Sequence, residues 1–227
     1  MFTRRRFMKL VGCGAIGSIA LGSYAFAIEP LYSLKTTYYR PQLPQWPKDL
    51  NLRIAVLTDI HACKPWMSVE RIRYIVQETN KLKPDVILLL GDYSAGMNLV
   101  TDYVHSSEWA PVLGELEAPL GVHAVLGNHD FWEDRTVQRD RKGKPFGQLA
   151  LEKAGISVYE NDAVQLKKGK QKFWLAGLGD QLAFPPFRKY GYSKWATRDD
   201  LSKTMAQIRD DAPVILMAHE PDIFHKV

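Results

Sequence analysis

Four short, nearly continuous apolar runs each stop at residues that carry chemistry. Leu52–Leu57 runs into Asp59-Ile60-His61, Val86–Leu90 into Gly91-Asp92, and Val122–Leu126 into Gly127-Asn128-His129-Asp130. The fourth, Val214–Met217, runs into His219-Glu220-Pro221. Runs of this length and composition read as strands covered on both faces, as in parallel sheets. Asp59 to Asp92 spans 33 residues and Asp92 to Asn128 spans 36, and each step suits one β-α-β unit. In open α/β sheets, ligands collect at the carboxyl ends of strands. The pattern therefore predicts a layered α/β fold with carboxylates, imidazoles and an amide gathered along one sheet edge.

The remaining periodicities fill in the layers. Ser68–Leu82 carries Ile72, Ile75, Val76 and Leu82 at helical spacing, with Ser68 as N-cap and Pro84 as the stop. Trp109–Leu116, Gly147–Ala154 (closed by Gly155) and Thr197–Ile208 are further helix candidates. Asp199 and Asp200 fall in the first turn of the last one, where the helix dipole favours them. Ile156–Tyr159 and Phe173–Ala176 read as strands.

Charge and cysteines narrow the function classes. The net charge is +5, but Arg4, Arg5, Arg6 and Lys9 lie in the first ten positions. Without them, 26 basic residues face 25 acidic ones, which leaves no broad footprint for a phosphate backbone and excludes nucleic acid as the expected partner. No obligate protein partner is evident. Thr3-Arg4-Arg5-Arg6-Phe7-Met8-Lys9 resembles the twin-arginine export motif, and an apolar, glycine-rich stretch follows from Leu10 to Ala27. Residues 1–27 are therefore expected to be a signal peptide or a membrane anchor, with Ala25-Phe26-Ala27 as a cleavage site in the first case. Residues 28–49, with four prolines, read as a linker, and 50–227 as the domain. This places the body in the periplasm or on the outer face of the cytoplasmic membrane, with membrane contact through the N-terminal segment. Cys63 is the body's single cysteine, so no internal disulfide is available, as suits a chain that folds before export.

The residue types at the strand ends suit divalent metals. Carboxylates are hard oxygen donors and imidazoles borderline nitrogen donors, a mixture that favours manganese, iron or zinc. A carboxylate can bridge two ions about 3.5–4 Å apart, which together clamp a phosphoryl group. Alternation in Asp59-Ile60-His61 would place both side chains on one side of an extended segment.

Taken in order, these motifs resemble the calcineurin-like metallophosphoesterase superfamily, and with the export motif its twin-arginine-exported bacterial phosphodiesterase branch. The resemblance covers about Leu52 to the C-terminus. It implies a four-layer α-β-β-α sandwich, two divalent ions, and hydrolysis of phosphate esters, in particular diesters, by a metal-bound hydroxide. It implies Asp59 and His61 as ligands of one metal, Asp92 as the bridge, and Asn128 and His219 as ligands of the second. His129 would give a proton or hydrogen bond to the leaving group, with Asp130 orienting it. Asn128, His129 and Trp132 would meet substrate. The family closes its motif set with Gly-His-x-His, which does not occur here. The expectation is thus a sandwich truncated before that motif, and the alternative is a non-catalytic exported relative that binds metal or phosphate weakly. Trp66, Met67, Phe131, Trp132 and Leu182–Phe187 flank the ligand loops. They read either as ordinary packing or as an apolar rim for a lipid-linked phosphate ester.

Overall fold

The computed structural model describes residues 3–44 and 46–226. Met1, Phe2 and Val227, at the outer ends of the expected signal and domain, and Gln45 of the linker lie outside the described residues. The chain divides into two compact units, residues 1–40 and 41–227.

In the first unit, Thr3 caps helix α1 (Arg4–Ser23) by accepting the Arg6 N–H at 3.4 Å. A π-helical turn, Tyr24–Ile28, leads into α2 (Glu29–Tyr32), so the expected linker begins helical. No helix among the described residues is long and apolar enough to cross a membrane.

The second unit is an α/β sandwich. Strands β1 (Ile54–Leu57), β3 (Val86–Leu89), β5 (Val122–Ala124) and β6 (Ser157–Val158) form a parallel sheet in that order. Leu57 is paired with Leu89, and Leu89 with Ala124. Short β2 (Cys63–Lys64) and β4 (Asp102–Tyr103) form a separate antiparallel ladder. Helix α3 (Val69–Lys81) starts where Ser68 Oγ accepts the Arg71 N–H, and it buries Ile72, Val76 and Thr79 along one face. Lys83 then turns left-handed (φ 50°) and Pro84 prevents continuation. Side chains of alternating parity serve both faces of the sheet. Ile87, Leu89 and Ala124 pack with Ile72, Val76, Trp109 and Leu113 of the helical layer. Val86, Leu88 and Val125 meet Leu175 and Met217 of a second sheet.

That second sheet holds β7 (Asp162–Lys168), β8 (Gln171–Gly177) and β9 (Val214–Met217). The β7–β8 pair is an antiparallel hairpin turned at Gly169, whose φ of 60° a side chain would resist. The β8–β9 pair is parallel, with Gly177 opposite Met217.

Three expectations shift. Helix α4 is Ser106–Leu113, earlier than Trp109–Leu116, because the Glu108 carboxylate takes the His105 N–H at 3.0 Å and fixes the start. It is followed by α5 (Asn128–Trp132), α6 (Arg135–Asp140) and α7 (Phe146–Lys153). The helix expected over Thr197–Ile208 shrinks to α8 (Leu201–Met205), capped by Asp200, so Asp199 lies outside it. Arg198 and Asp200 are held instead by Asn161, which bonds the Arg198 carbonyl at 2.6 Å and accepts the Asp200 N–H at 2.8 Å. Strand β7 was not expected, because its polar, half-exposed pattern carries little apolar signal.

Candidate metal centre

The loop after β1 is not extended, as the Asp-x-His alternation implied. Asp59 (φ 53°) and His61 (φ 43°) are both left-handed, around a buried Ile60. They face each other because the backbone turns tightly, with the neighbouring loop as template. Asp59 N–H donates to Gly91 O (3.1 Å), His61 N–H to Asp92 O (2.9 Å) and Ala62 N–H to Tyr93 O (2.9 Å). Asp92 is itself left-handed (φ 56°). Three non-glycine residues in this sparsely populated region at one sheet edge is strain of the kind that clusters at functional sites.

Asp130 keeps those loops in place. It is fully buried, and its carboxylate accepts the N–H groups of Asp92 (2.9 Å), Tyr93 (3.0 Å), Ser94 (3.1 Å) and Gly127 (3.0 Å). Burial pushes its carboxyl up to about 7, against these amides, which favour the anion. This corrects the expected role of Asp130. Its oxygens are committed to the backbone of two loops, and the carboxylate that faces the His129 imidazole is Glu133, with Oε1 3.4 Å from Nδ1. The pairing follows from helical geometry, since Glu133 lies four residues on, at the C-cap of α5.

The ligand-type side chains converge on Asp92, which is 3% exposed. Its Oδ1 accepts the His129 backbone N–H at 2.9 Å. Its Oδ2 lies 3.4 Å from His61 Nε2 and 3.5 Å from His219 Nε2. Asp59 Oδ1 is 3.6 Å from His61 Nε2, and its Oδ2 accepts the Thr58 hydroxyl at 2.7 Å. Asp59, Asp92 and His219 each offer a donor atom within 4.8 Å of the others. The histidines settle whether this set suits a cation. His61 Nδ1 meets Ser94 O at 3.1 Å and His219 Nδ1 meets Leu90 O at 2.7 Å. A carbonyl only accepts, so Nδ1 carries the hydrogen in both rings. In the neutral rings this leaves each Nε2 lone pair aimed at the carboxylates, the arrangement that orients metal-binding imidazoles. The residues present therefore fit a divalent ion. Without one, His219 is pushed up to about 9: burial opposes this, and the Asp92 carboxylate outweighs it.

Asn128 opens α5 and is buried, just past the end of the third apolar run. Gly127 before it has no room for a side chain, since a Cβ would lie 2.8 Å from His219 Cε1. The His129 ring sits 5.0 Å from His61 and 4.9 Å from Trp132. Trp132 Nε1–H donates to Leu182 O (2.8 Å), and its ring lies 6.4 Å from the half-exposed Trp195. Asp59, His61, Asp92 and His219 thus meet at one edge, with the His129 ring beside His61 and Asp130 bonded to the backbone of the loops. His225 is exposed and packs edge-on to Phe224.

Two residues escaped the sequence reading. Glu133 carried no motif. Asp180 follows the apolar run of β8 in Gly179-Asp180, the same dipeptide as Gly91-Asp92, and that repetition was the available signal. Asp180 is 2% exposed; Oδ1 accepts the Leu182 N–H at 2.8 Å, and Oδ2 has no hydrogen-bond partner. Burial pushes its carboxyl up to about 7, with Glu220 and Asp92 adding to the effect and the Leu182 N–H and His219 opposing it.

An α/β sandwich whose strand ends converge on a carboxylate–imidazole cluster defines a class of metal-dependent hydrolase sites. The calcineurin-like phosphoesterase pattern matches residues 52–226, and the chain belongs to that family. Such enzymes bind divalent metals and act on phosphate esters. A metallophosphoesterase of Caenorhabditis elegans is 32% identical over 172 residues, 76% of this chain and 32% of that protein. The phosphodiesterase YaeI of Escherichia coli is 26% identical over 98% of this chain and 71% of its own length. The UDP-2,3-diacylglucosamine pyrophosphatase LpxG of Chlamydia muridarum is 30% identical over 56% of this chain and 39% of its length. The chain thus spans a third of the nematode protein and under three quarters of the bacterial ones.

Proposed function

We propose that this protein hydrolyses phosphodiesters at a centre of two divalent ions, manganese, iron or zinc. The observation that carries the reading is Asp92 Oδ2, which faces the Nε2 atoms of His61 and His219 while both Nδ1 atoms are held by carbonyls. In this reading Asp59 and His61 hold one ion, Asn128 and His219 the other, and Asp92 both. Bound ions supply Lewis acidity toward the phosphoryl oxygens and lower the pKa of water. His129, at the rim of the cluster, gives a proton or hydrogen bond to the leaving-group oxygen. Asn128 and Trp132 contact substrate. The named activity of the Escherichia coli relative supports a diester.

The substrate reading extends to a lipid-linked ester. Trp132 stands next to His129 and Trp195 next to Trp132, with Leu182 and Phe187 part-exposed. The Trp132 N–H is satisfied by Leu182 O, so its ring offers an apolar face. The named substrate of the chlamydial relative carries acyl chains, which supports the same class. We place the protein outside the cytoplasmic membrane, delivered by the twin-arginine route, on the strength of Thr3–Lys9.

The test is metal content of the purified chain together with hydrolysis of bis(p-nitrophenyl) phosphate under added Mn2+. About two ions per chain, and turnover lost in Asp92→Ala, are expected. Absence of both metal and turnover would overturn the reading in favour of a non-catalytic relative.

A further inference from the structure

Among the described residues, Asp180 is a buried carboxylate with one oxygen that nothing in the protein satisfies. A native fold rarely leaves such an atom without a reason, and an ion or water outside the protein atoms is one of the few. Its position indicates which. Strands β8 and β9 are parallel, with Gly177 opposite Met217, and Leu178 N–H extends the ladder to Met217 O (2.9 Å). Asp180 lies three residues past Gly177 and His219 two past Met217, so both leave the same edge of the same strand pair. Gln181 Nε2 donates to Glu220 O (3.2 Å) and ties the two loops together.

The placement is enforced. Gly179 N–H donates to Asn161 Oδ1 (3.0 Å), and Arg198 N–H donates to Asp180 O (2.8 Å). A Cβ at Gly179 would lie 2.7 Å from the Arg198 carbonyl carbon, so the loop has no slack on that side. The charges that act on Asp180 are Asp92 and Glu220, which repel it, and His219, which is positive only when protonated. Such a group is unfavourable in the protein alone and favourable beside a cation.

We infer that Asp180 belongs to the metal centre. It lies outside the three donors that fall within 4.8 Å of one another, so it acts on the ion without joining them as a direct ligand. It holds a water in the site and adds the negative charge that retains a divalent ion beside His219. This rests on the metal-centre reading above and adds a carboxylate that the reading does not use.

The test compares wild type, Asp180→Asn and Asp92→Asn in the full chain, by thermal unfolding with and without Mn2+ and by calorimetric Mn2+ titration. Asparagine keeps the shape and removes the charge. For Asp180→Asn, a metal-free Tm equal to or above wild type is expected, with Mn2+ affinity about 10–100-fold weaker and a smaller Mn2+-induced rise in Tm. A lowered metal-free Tm with unchanged Mn2+ affinity would overturn the inference and make Asp180 a structural residue. If wild type itself takes up no Mn2+ and Asp92→Asn changes nothing, the metal-centre reading falls and takes this one with it. Loss of affinity in Asp92→Asn alone would reject only the role of Asp180.

Discussion

The two sheets reach the same site by different means. The parallel sheet brings Asp59, His61, Asp92 and Asn128 on loops that copy one another's backbone, three of those residues in left-handed conformations, with Asp130 clamping the turns from below. The second sheet brings His219 and Asp180 on the loops after two adjacent strands, and neither residue has a left-handed backbone. What fixes His219 is a bond across the sandwich, from Nδ1 to Leu90 O at the end of β3. One half of the site is thus rigid by its own construction. The other half is rigid only when the sheets are docked. The two halves are held together where the Val86–Leu88–Val125 face packs on Leu175 and Met217.

The sharpest way to break this contrast is at Asp92, whose side chain faces His61 from the first sheet and His219 from the second. Asp92→Ala should abolish metal-dependent turnover, a loss beyond the roughly 100-fold that follows from disturbing a ligand's supporting contacts. His61→Ala and His219→Ala should each lose Mn2+ affinity to a similar degree if the two sheets contribute equally. A calorimetric titration in which only His61→Ala suffers would show that the first sheet's loops suffice.

Next in size is the clamp. Asp130→Ala leaves four buried amides without an acceptor, and each such group costs about 1–3 kcal/mol. A loss of more than about 3 kcal/mol in urea unfolding is expected, or failure to fold. Asp180→Asn, in the second sheet, should leave metal-free stability unharmed. Equal losses in the two variants would remove the distinction between a clamp and a metal-facing carboxylate.

Glu133 separates orientation from structure. If it fixes the His129 ring, Glu133→Ala should slow hydrolysis of a diester with a poor alkoxide leaving group about tenfold, a part of the roughly 100- to 10,000-fold that a positioned proton donor supplies. A p-nitrophenolate leaving group needs little protonation and should be spared. An equal loss on both substrates would assign Glu133 a packing role against Gly96, where a Cβ would lie 2.5 Å from His129 Nδ1.

The same contrast explains what could be read from the sequence. The first sheet was legible because its strands are short apolar runs, β3 buried throughout, that end in turns needing particular residues. The run at Val86, the cap at Ser68 and the Gly-Asn-His-Asp turn each carry their own signal. The second sheet was legible at Phe173–Ala176 and Val214–Met217, the apolar cores of β8 and β9, and not at β7. Strand β7 is half-exposed and polar, and the segment expected to be helical from Thr197 is held by Asn161, a partner more than thirty residues away in sequence. The site shows the same limit. Which strand ends converge could be read, but not that Asp130 turns inward to the backbone or that Asp180 lies at the same edge as His219. Those depend on φ values and on sheet docking, which local pattern does not encode.

The smallest expected effect lies within the first sheet and concerns its stability against acid. His123 on β5 is buried; its Nε2 meets Leu120 O at 2.8 Å, so that nitrogen carries the hydrogen, and Nδ1 accepts the Tyr159 hydroxyl at 2.9 Å. Burial pulls its pKa below the usual value near 6.5, with the Leu120 carbonyl opposing. A folded-state pKa below the unfolded one means the unfolded chain binds the proton more readily. The stabilisation is therefore complete above about pH 6.5 and is lost as pH falls through the folded value. Tyr159→Phe removes the donor to Nδ1 and should cost about 1 kcal/mol at neutral pH. His123→Gln should flatten the acid limb of the stability curve. Chemical unfolding followed from pH 7.5 to 5 reads both, and an acid limb unchanged in His123→Gln would move the sensitivity out of the first sheet and into the carboxylates of the metal centre.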